Sequence, residues 1–322
     1  MQRQTTFGGG VSPRNTRLRG QSIIEYVLII AIIGLVIVFA GPGVAGAIRN
    51  QFNLVTNTVD SGTDDDSFIS AEEKAYREAM KTVVNKDAKD WTLDEQKAAA
   101  TDIAKNGTSS VVYAKAKAAM DAGTKFSIKL TNGKTMEYRI IGINHDDLAG
   151  GSGKAGLAFL ITNDAVGVHR MNATGTNAGG WEKSELRAKM NSGEIWSLLP
   201  GDFQSKVKTV RKLTNNVGGG RANKNAAVTA TADRLFLLSY SEIVPTSIWA
   251  SDYPWTSSEG TQYEAFKGKC TNSGVACDDL KGWERSCHPT SGATFCWVNN
   301  GGYPSDYLFA AYTPRIPLAF CF

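Results

Sequence analysis

The chain has 322 residues, 42% hydrophobic and 20% charged, with a mean hydropathy of -0.22. That composition supports a sizeable buried core and excludes both wholesale disorder and a polytopic membrane protein. Its 35 basic and 31 acidic side chains give a net charge of +4, and residues 1–20, with Arg3, Arg14, Arg17 and Arg19 and no acid, hold all of that excess. The remainder is formally neutral, so bulk charge lends no support to a nucleic-acid partner.

Positions 26–48 run for 23 residues without a charge, which as a helix spans about 34 Å and predicts a membrane crossing. The arginines before the run and Arg49 alone after it place the N-terminus in the cytoplasm and the rest of the chain outside. A plain signal anchor is one reading of this pattern. A cleaved secretory signal fits less well, because the apolar stretch is long and no A-x-A-like site follows. Gly41-Pro42-Gly43 interrupts the run and predicts a kink, since Pro42 lacks a backbone donor.

Glu25 stands at the edge of the apolar run, where a carboxylate is costly unless a cation meets it. It lies in R-G-Q-S-I-I-E-Y, with Gly20 five residues before it and Tyr26 directly after. This G-x-x-x-x-E-Y pattern with its aliphatic helix, together with Ile48 and Phe52, resembles the class III leader of Flp/Tad-type type IV pilins. The resemblance implies cleavage by a prepilin peptidase between Gly20 and Gln21. It also implies pairing of Glu25 with the new α-amine of Gln21 on a neighbouring subunit. The chain departs from that family in size, for about 270 residues follow the helix, and this favours a minor, tip or adhesin-bearing subunit.

Residues 61–67, SGTDDDS, have linker composition; Asp64 to Asp66 lack the pattern of an EF-hand and read as a solvated linker. Ser70-x-x-Glu73 and Thr92-x-x-Glu95 are capping boxes that open two helices, and residues 109–122 predict a third. Residues 61–123 therefore read as a helical spacer. The period then changes: Phe126, Ile128 and Leu130 alternate, Asn132-Gly133 signals a hairpin, and Met136, Tyr138 and Ile140 alternate on the return.

From residue 124 to 322 several strings stand in one order: MEYRIIGINHDDL at 136–148, MNATGTNAGGWEKSELRAKMN at 171–191, DRLFLLSYSEI at 233–243, WERS at 283–286 and the closing RIPLAFCF. Together they resemble a large, functionally uncharacterised family of bacterial surface domains. The order GGW-x-x-SELR, LP, LFLLS, W-x-RS and R-x-P-x-F is similar to the C-type-lectin-like fold in its formylglycine-generating-enzyme-related form. The expected fold class is thus α+β: an N-terminal pilin-like transmembrane helix, a helical spacer and a C-terminal C-type-lectin-like mixed α/β head. The boundaries are 1–20 (leader), 21–60 (helix), 61–123 (spacer) and 124–322 (head). Trp181, Trp196 and Trp283 are expected in the core, and Arg187 and Arg285 against buried carboxylates or carbonyls.

All five cysteines fall in the last 53 residues, which favours disulfides in an exported domain over metal. Cys270 and Cys277, closing the loop CTNSGVAC, are the first pair expected. Cys296 with Cys321 is a weaker second, leaving Cys287 over. No metal site and no cofactor is expected: there is no C-x-x-C, and His145, His169 and His288 are scattered. Gly151-Ser152-Gly153-Lys154-Ala155-Gly156 matches G-x-G-x-x-G but precedes the strand-like LAFLIT, so it reads as a flexible loop. His145-Asp146-Asp147 reads as a surface turn, since neighbours on a strand point to opposite faces.

The segment 297–312, WVNNGGYPSDYLFAAY, crowds aromatics among small polar residues, the composition of recognition loops. Its ligand-binding candidates are Trp297, Asn299, Tyr303, Asp306, Tyr307, Phe309 and Tyr312. In some lectin-like domains the resembling stretch is diversified by a retroelement, and this texture is compatible with that. The resulting expectation is a non-enzymatic, pilin-like subunit of a Tad/Flp-type pilus, held at the cytoplasmic membrane before assembly and extracellular afterwards. Its head would adhere to a glycan or protein, and its partners would be other pilin subunits, the prepilin peptidase and the membrane, with no nucleic acid. Two alternatives are a structural major pilin with a decorative head and a membrane-anchored extracytoplasmic enzyme of formylglycine-generating-enzyme-like fold. The enzyme is disfavoured because the motifs assign it no nucleophile, metal site or acid–base pair.

Overall fold

A computed structural model describes residues 69–220 and 223–322. The chain divides into two compact units, Met1–Ile69 and Ser70–Phe322, and the second holds nearly all the described residues. It opens with three helices, α1 (Ala71–Val83), α2 (Leu93–Asn106) and α3 (Tyr113–Ala122). Thr92 starts α2 with a complete capping box, its hydroxyl accepting from the Glu95 N–H while Glu95 accepts from the Thr92 N–H. Gly123, left-handed at φ 65°, ends α3. That helix starts at Tyr113, later than its sequence pattern predicts, because a 3₁₀ turn at Gly107–Ser109 precedes it and the Ser110 hydroxyl turns back to Asp102 at 2.5 Å.

The strands and helices that follow are β1 (Lys125–Lys129), β2 (Thr135–Ile143), β3 (Leu157–Ile161), α4 (Glu185–Asn191), α5 (Glu194–Ser197), α6 (Gly201–Lys206), β4 (Val210–Asn215), β5 (Val228–Asp233), β6 (Leu235–Leu237) and α7 (Tyr240–Ile243). The chain continues through β7 (Cys270–Thr271), β8 (Gly274–Val275), β9 (Gly282–Cys287), β10 (Thr294–Val298), β11 (Asp306–Phe309) and β12 (Leu318–Cys321). Five strands in the order β1-β2-β3-β12-β6 form the main sheet, and a second sheet runs β11-β10-β9. The hairpin at Asn132-Gly133 forms as expected, with Phe126 opposite Tyr138 and Ile128 opposite Met136.

One core joins the helices to the main sheet. Val83, Ala99, Ala100, Ile103, Ala116 and Met120 belong to the same buried cluster as Tyr138, Phe159, Phe203 and Phe320, and the Tyr138 hydroxyl donates to Gln96 of α2 at 3.0 Å. The contact between α2 and β3 is close enough that a Cβ on Gly156 would stand 1.8 Å from the Ala100 carbonyl oxygen. Residues 70–122 are therefore a layer of the folded unit; as a separate spacer they would leave the face of β2 uncovered.

The fold-class expectation is corrected. Among the described residues no helix is long and apolar enough to cross a membrane: α2, the longest at 14 residues, spans about 21 Å, short of a hydrocarbon core of about 30 Å. The architecture is a mixed helix-and-sheet unit. Residues 21–60, where the transmembrane helix was expected, lie outside the described residues, as do Asp64 to Asp66.

A buried ionic chain crosses this unit. Lys212 on β4 reaches Asp146 and Glu242, each at 2.6 Å, and Arg285 on β9 reaches Glu242 at 2.5 Å and the Glu259 carbonyl at 2.7 Å. Arg285 thus takes the partners expected of it, and so does Arg187, which meets Asp233 at 2.6 Å. The surface-turn reading of 145–147 is corrected. Asp146 is buried and accepts from Tyr263 at 2.8 Å, His145 stacks on Tyr263, and Asp147 alone faces solvent, paired with Lys154.

Candidate binding cleft beside the second sheet

Strand β10 carries the first candidate, Trp297, opposite Asp306 of β11, and Phe295 lies opposite Leu308. Cross-strand neighbours share a face and successive residues along a strand change face. Trp297, Phe295 and Leu308 therefore lie on one side of this sheet, while Tyr307 and Phe309, opposite Cys296 and Thr294, lie on the other. The strand connection is built from two further candidates. Asn299 accepts from the Tyr303 N–H at 3.0 Å and donates to Asp306 at 2.8 Å, and Asp306 also accepts from the Tyr307 N–H at 2.8 Å. Their polar atoms are thereby committed to shaping the turn.

Trp297 and Leu308 face a cleft of about 680 Å³, within the range of small-molecule sites. Tyr312 and Arg315 line it after β11, Thr162 and Asp164 line it after β3, and Asp278 and Lys281 line it before β9. Arg315 ties these segments together: its Nη1 donates to the carbonyls of Asp279 (2.9 Å) and Asp278 (3.3 Å), and its Nε pairs with Asp164. Gly282 permits this close approach, since at φ 134° it sits where a Cβ would come within 2.4 Å of the Arg315 carbonyl. Lys281 pairs with Asp278 at 2.8 Å, which lowers the Asp278 pKa.

Three polar atoms of this lining, Trp297 Nε1, Arg315 Nη2 and Thr162 Oγ1, are buried without a hydrogen-bond partner in the protein. Each such group costs about 1–3 kcal/mol.

The structure thus splits the seven sequence candidates. Trp297 and Tyr312 line the cleft, Asn299 and Asp306 hold the turn, and Tyr307 and Phe309 occupy the opposite face, with Tyr303 exposed on the turn itself. Among the described residues the exposed aromatic side chains are Tyr303, Tyr307, Phe309 and Tyr312, all from this one segment. Tyr307 leans on His288 at 4.4 Å, and burial brings His288 down to about 4 against the opposing charge of Asp306. Sequence reasoning missed Thr162, Asp278, Lys281 and Arg315, which come from three separate segments. A lone charge inside the apolar closing run was the available signal for Arg315.

All five cysteines are free thiols. Cys270 and Cys277 are side by side, and their hydrogen bond brings Cys277 down to about 7 and pushes Cys270 up. The structure does not link Cys296 to Cys321: they lie on different sheets, Cys296 beside Glu284 and Cys321 at 3.4 Å from Asp146. No cluster of three or more His, Cys, Asp or Glu fit to hold a metal occurs among the described residues. The processing residues Gly20, Gln21, Glu25 and Tyr26 lie outside the described residues.

Fold and cleft together define a mixed helix-and-sheet domain with a composite ligand-sized cleft. The chain belongs to the DUF6273 family, described as a domain of unknown function, whose family model matches residues 155–321. No curated protein and no solved structure matches it.

Proposed function

We propose that this chain is a pilin-like surface subunit whose Ser70–Phe322 unit is a binding head, displayed on a Tad-type filament and adhering to a glycan or protein. One observation carries the binding reading: a cleft of about 680 Å³ beside Trp297 adjoins the segment that holds the exposed aromatics Tyr303, Tyr307, Phe309 and Tyr312. The pilin part rests on Gly20, Glu25 and Tyr26, with prepilin peptidase and other pilin subunits as partners. The head is read as a binding module in preference to an enzyme, since the cleft lining offers no nucleophile paired with a base.

The leader provides the test. Gly20→Ala should leave a precursor larger by residues 1–20 and abolish surface display, read by immunoblot and by antibody labelling of intact cells. Normal processing and display of that variant would sink the pilin assignment. Cell adhesion unaffected by Tyr312→Ala and Trp297→Phe together would sink the cleft as the adhesive site.

A further inference from the structure

The five thiols are not equivalent. Cys270, Cys287, Cys296 and Cys321 are buried, and Cys277 alone is partly open to solvent. It lines a cleft of about 400 Å³ between the end of α3, strand β2 and the β7–β8 hairpin, together with Arg139 and Lys269. The hairpin register puts Cys270 behind it. Cys270 lies opposite Val275, and the ladder continues outward with the Ala276 N–H donating to the Lys269 carbonyl at 3.2 Å. Cys277, extended and two residues beyond Val275, therefore shares the face of Cys270. There the two thiols meet in a hydrogen bond. That bond is the largest influence on Cys277, and the Arg139 and Lys269 charges aid it against burial and Asp279, holding Cys277 at about 7. The same bond pushes Cys270 up. Thiolate is the attacking species in disulfide exchange, and an accessible thiolate with a second cysteine beside it has the geometry of an attacking and a resolving pair.

From this arrangement we infer that Cys277 and Cys270 are a redox-active dithiol, oxidised by an organic disulfide that enters the cleft at Cys277. The Cys277 thiolate attacks one sulfur of the incoming disulfide, forming a mixed disulfide and expelling the first thiolate. Cys270 then gives up its proton, and its sulfur attacks that of Cys277, forming the internal bond and expelling the second thiolate. The protons lost by Cys277 and Cys270 pass through solvent to the two expelled thiolates, so one disulfide is reduced to two thiols as the other forms. The internal bond closes the hairpin at a junction. Val275 donates to the Gly302 carbonyl at 2.8 Å, beside Tyr303 on the exposed turn, and Asp279 holds Arg139 of β2 at 2.5 Å. Oxidation thus fixes the hairpin between that turn and the main sheet. The inference is independent of the binding-head reading.

The experiment treats the reduced full-length protein with limiting iodoacetamide and, separately, with oxidised glutathione or an oxidised dithiol protein, and maps the cysteines by mass spectrometry. In the folded protein Cys277 should alkylate roughly tenfold faster than any of the buried cysteines. Either oxidant should remove two hydrogens and yield a linked 270–277 peptide; glutathione identifies small disulfides as donors, and reaction with the protein oxidant alone identifies a macromolecular donor. Cys270→Ser, which keeps a hydroxyl donor beside Cys277, should stop at a glutathione adduct on Cys277. Cys277→Ser should give neither adduct nor link. Alkylation of another cysteine as fast as Cys277, an adduct on Cys270 in the Cys277→Ser variant, or no 270–277 link with either oxidant overturns the inference. The alkylation and linkage of the wild-type protein decide it even where a variant fails to fold.

Discussion

Glu284 is fully buried on β9, and neither of its carboxylate oxygens has a partner. Burial first, and the nearby Glu259 charge second, push its pKa well above the ordinary 4.5. The neighbouring ionic chain explains why the opposing Arg285 charge does not offset this: Lys212 and Arg285 are matched by Asp146 and Glu242. Burial works against the Glu242 charge, but Arg285 and Lys212 override it and hold Glu242 at about 2. Glu259, raised by burial to about 7, resembles Glu284 in sign. The folded chain thus keeps protons that the unfolded chain releases above about pH 4.5, so the stability contributed by Glu284 and Glu259 is full below that pH and declines as pH rises. Glu242 acts oppositely, with its contribution present above pH 4.5 and lost as pH falls toward 2. Glu284→Gln, a neutral replacement, should raise the melting temperature at pH 8 relative to wild type by more than at pH 5. Each kcal/mol corresponds to about 2–4 °C in a domain of this size. A melting difference identical at the two pH values would contradict the buried-acid account. None of this was legible in WERS, because the pattern fixes which residues face inward but not which carboxylates find cations there.

At the scale of elements, local rules were readable and long-range ones were not. The Thr92 capping box and the Asn132-Gly133 hairpin are each written within a few residues, and each formed where the sequence placed it. The cleft was half legible: aromatic crowding singled out 297–312, but strand alternation sends Trp297 and Tyr307 to opposite faces, and the remaining lining arrives from separate segments, the one at Thr162 to Asp164 lying more than a hundred residues upstream. The packing of α2 on β3 was equally invisible, for it turns on the single missing side chain of Gly156. Gly156→Ala should cost about 3 kcal/mol or more, since its Cβ would overlap the Ala100 backbone and both segments are held by further contacts. Denaturant unfolding measures this directly, and a variant as stable as wild type would mean that the helix layer shifts freely on the sheet.

For the whole molecule, the boundary matters most. Residues 70–322 should melt as one cooperative unit, whereas residues 124–322 alone should melt broadly and bind a hydrophobic dye, because removing the helices strips the cover from Tyr138, Phe126 and Phe159. A sharp transition in the shorter fragment would restore the helices to the role of a separate spacer. The sequence reading separated them at Gly123 because the hydrophobic period changes there. A change of period marks a change of element and carries no information on whether the two elements share a core.

The strand order has a kinetic consequence. Strand β12 pairs with β3 on one side and β6 on the other, so the main sheet stays in two parts until residues 318–321 are available. Its partners lie about 80 and 160 residues upstream, and such distant closures are slow. A chain emerging from the ribosome therefore cannot close its main sheet until almost all of the described sequence has been made.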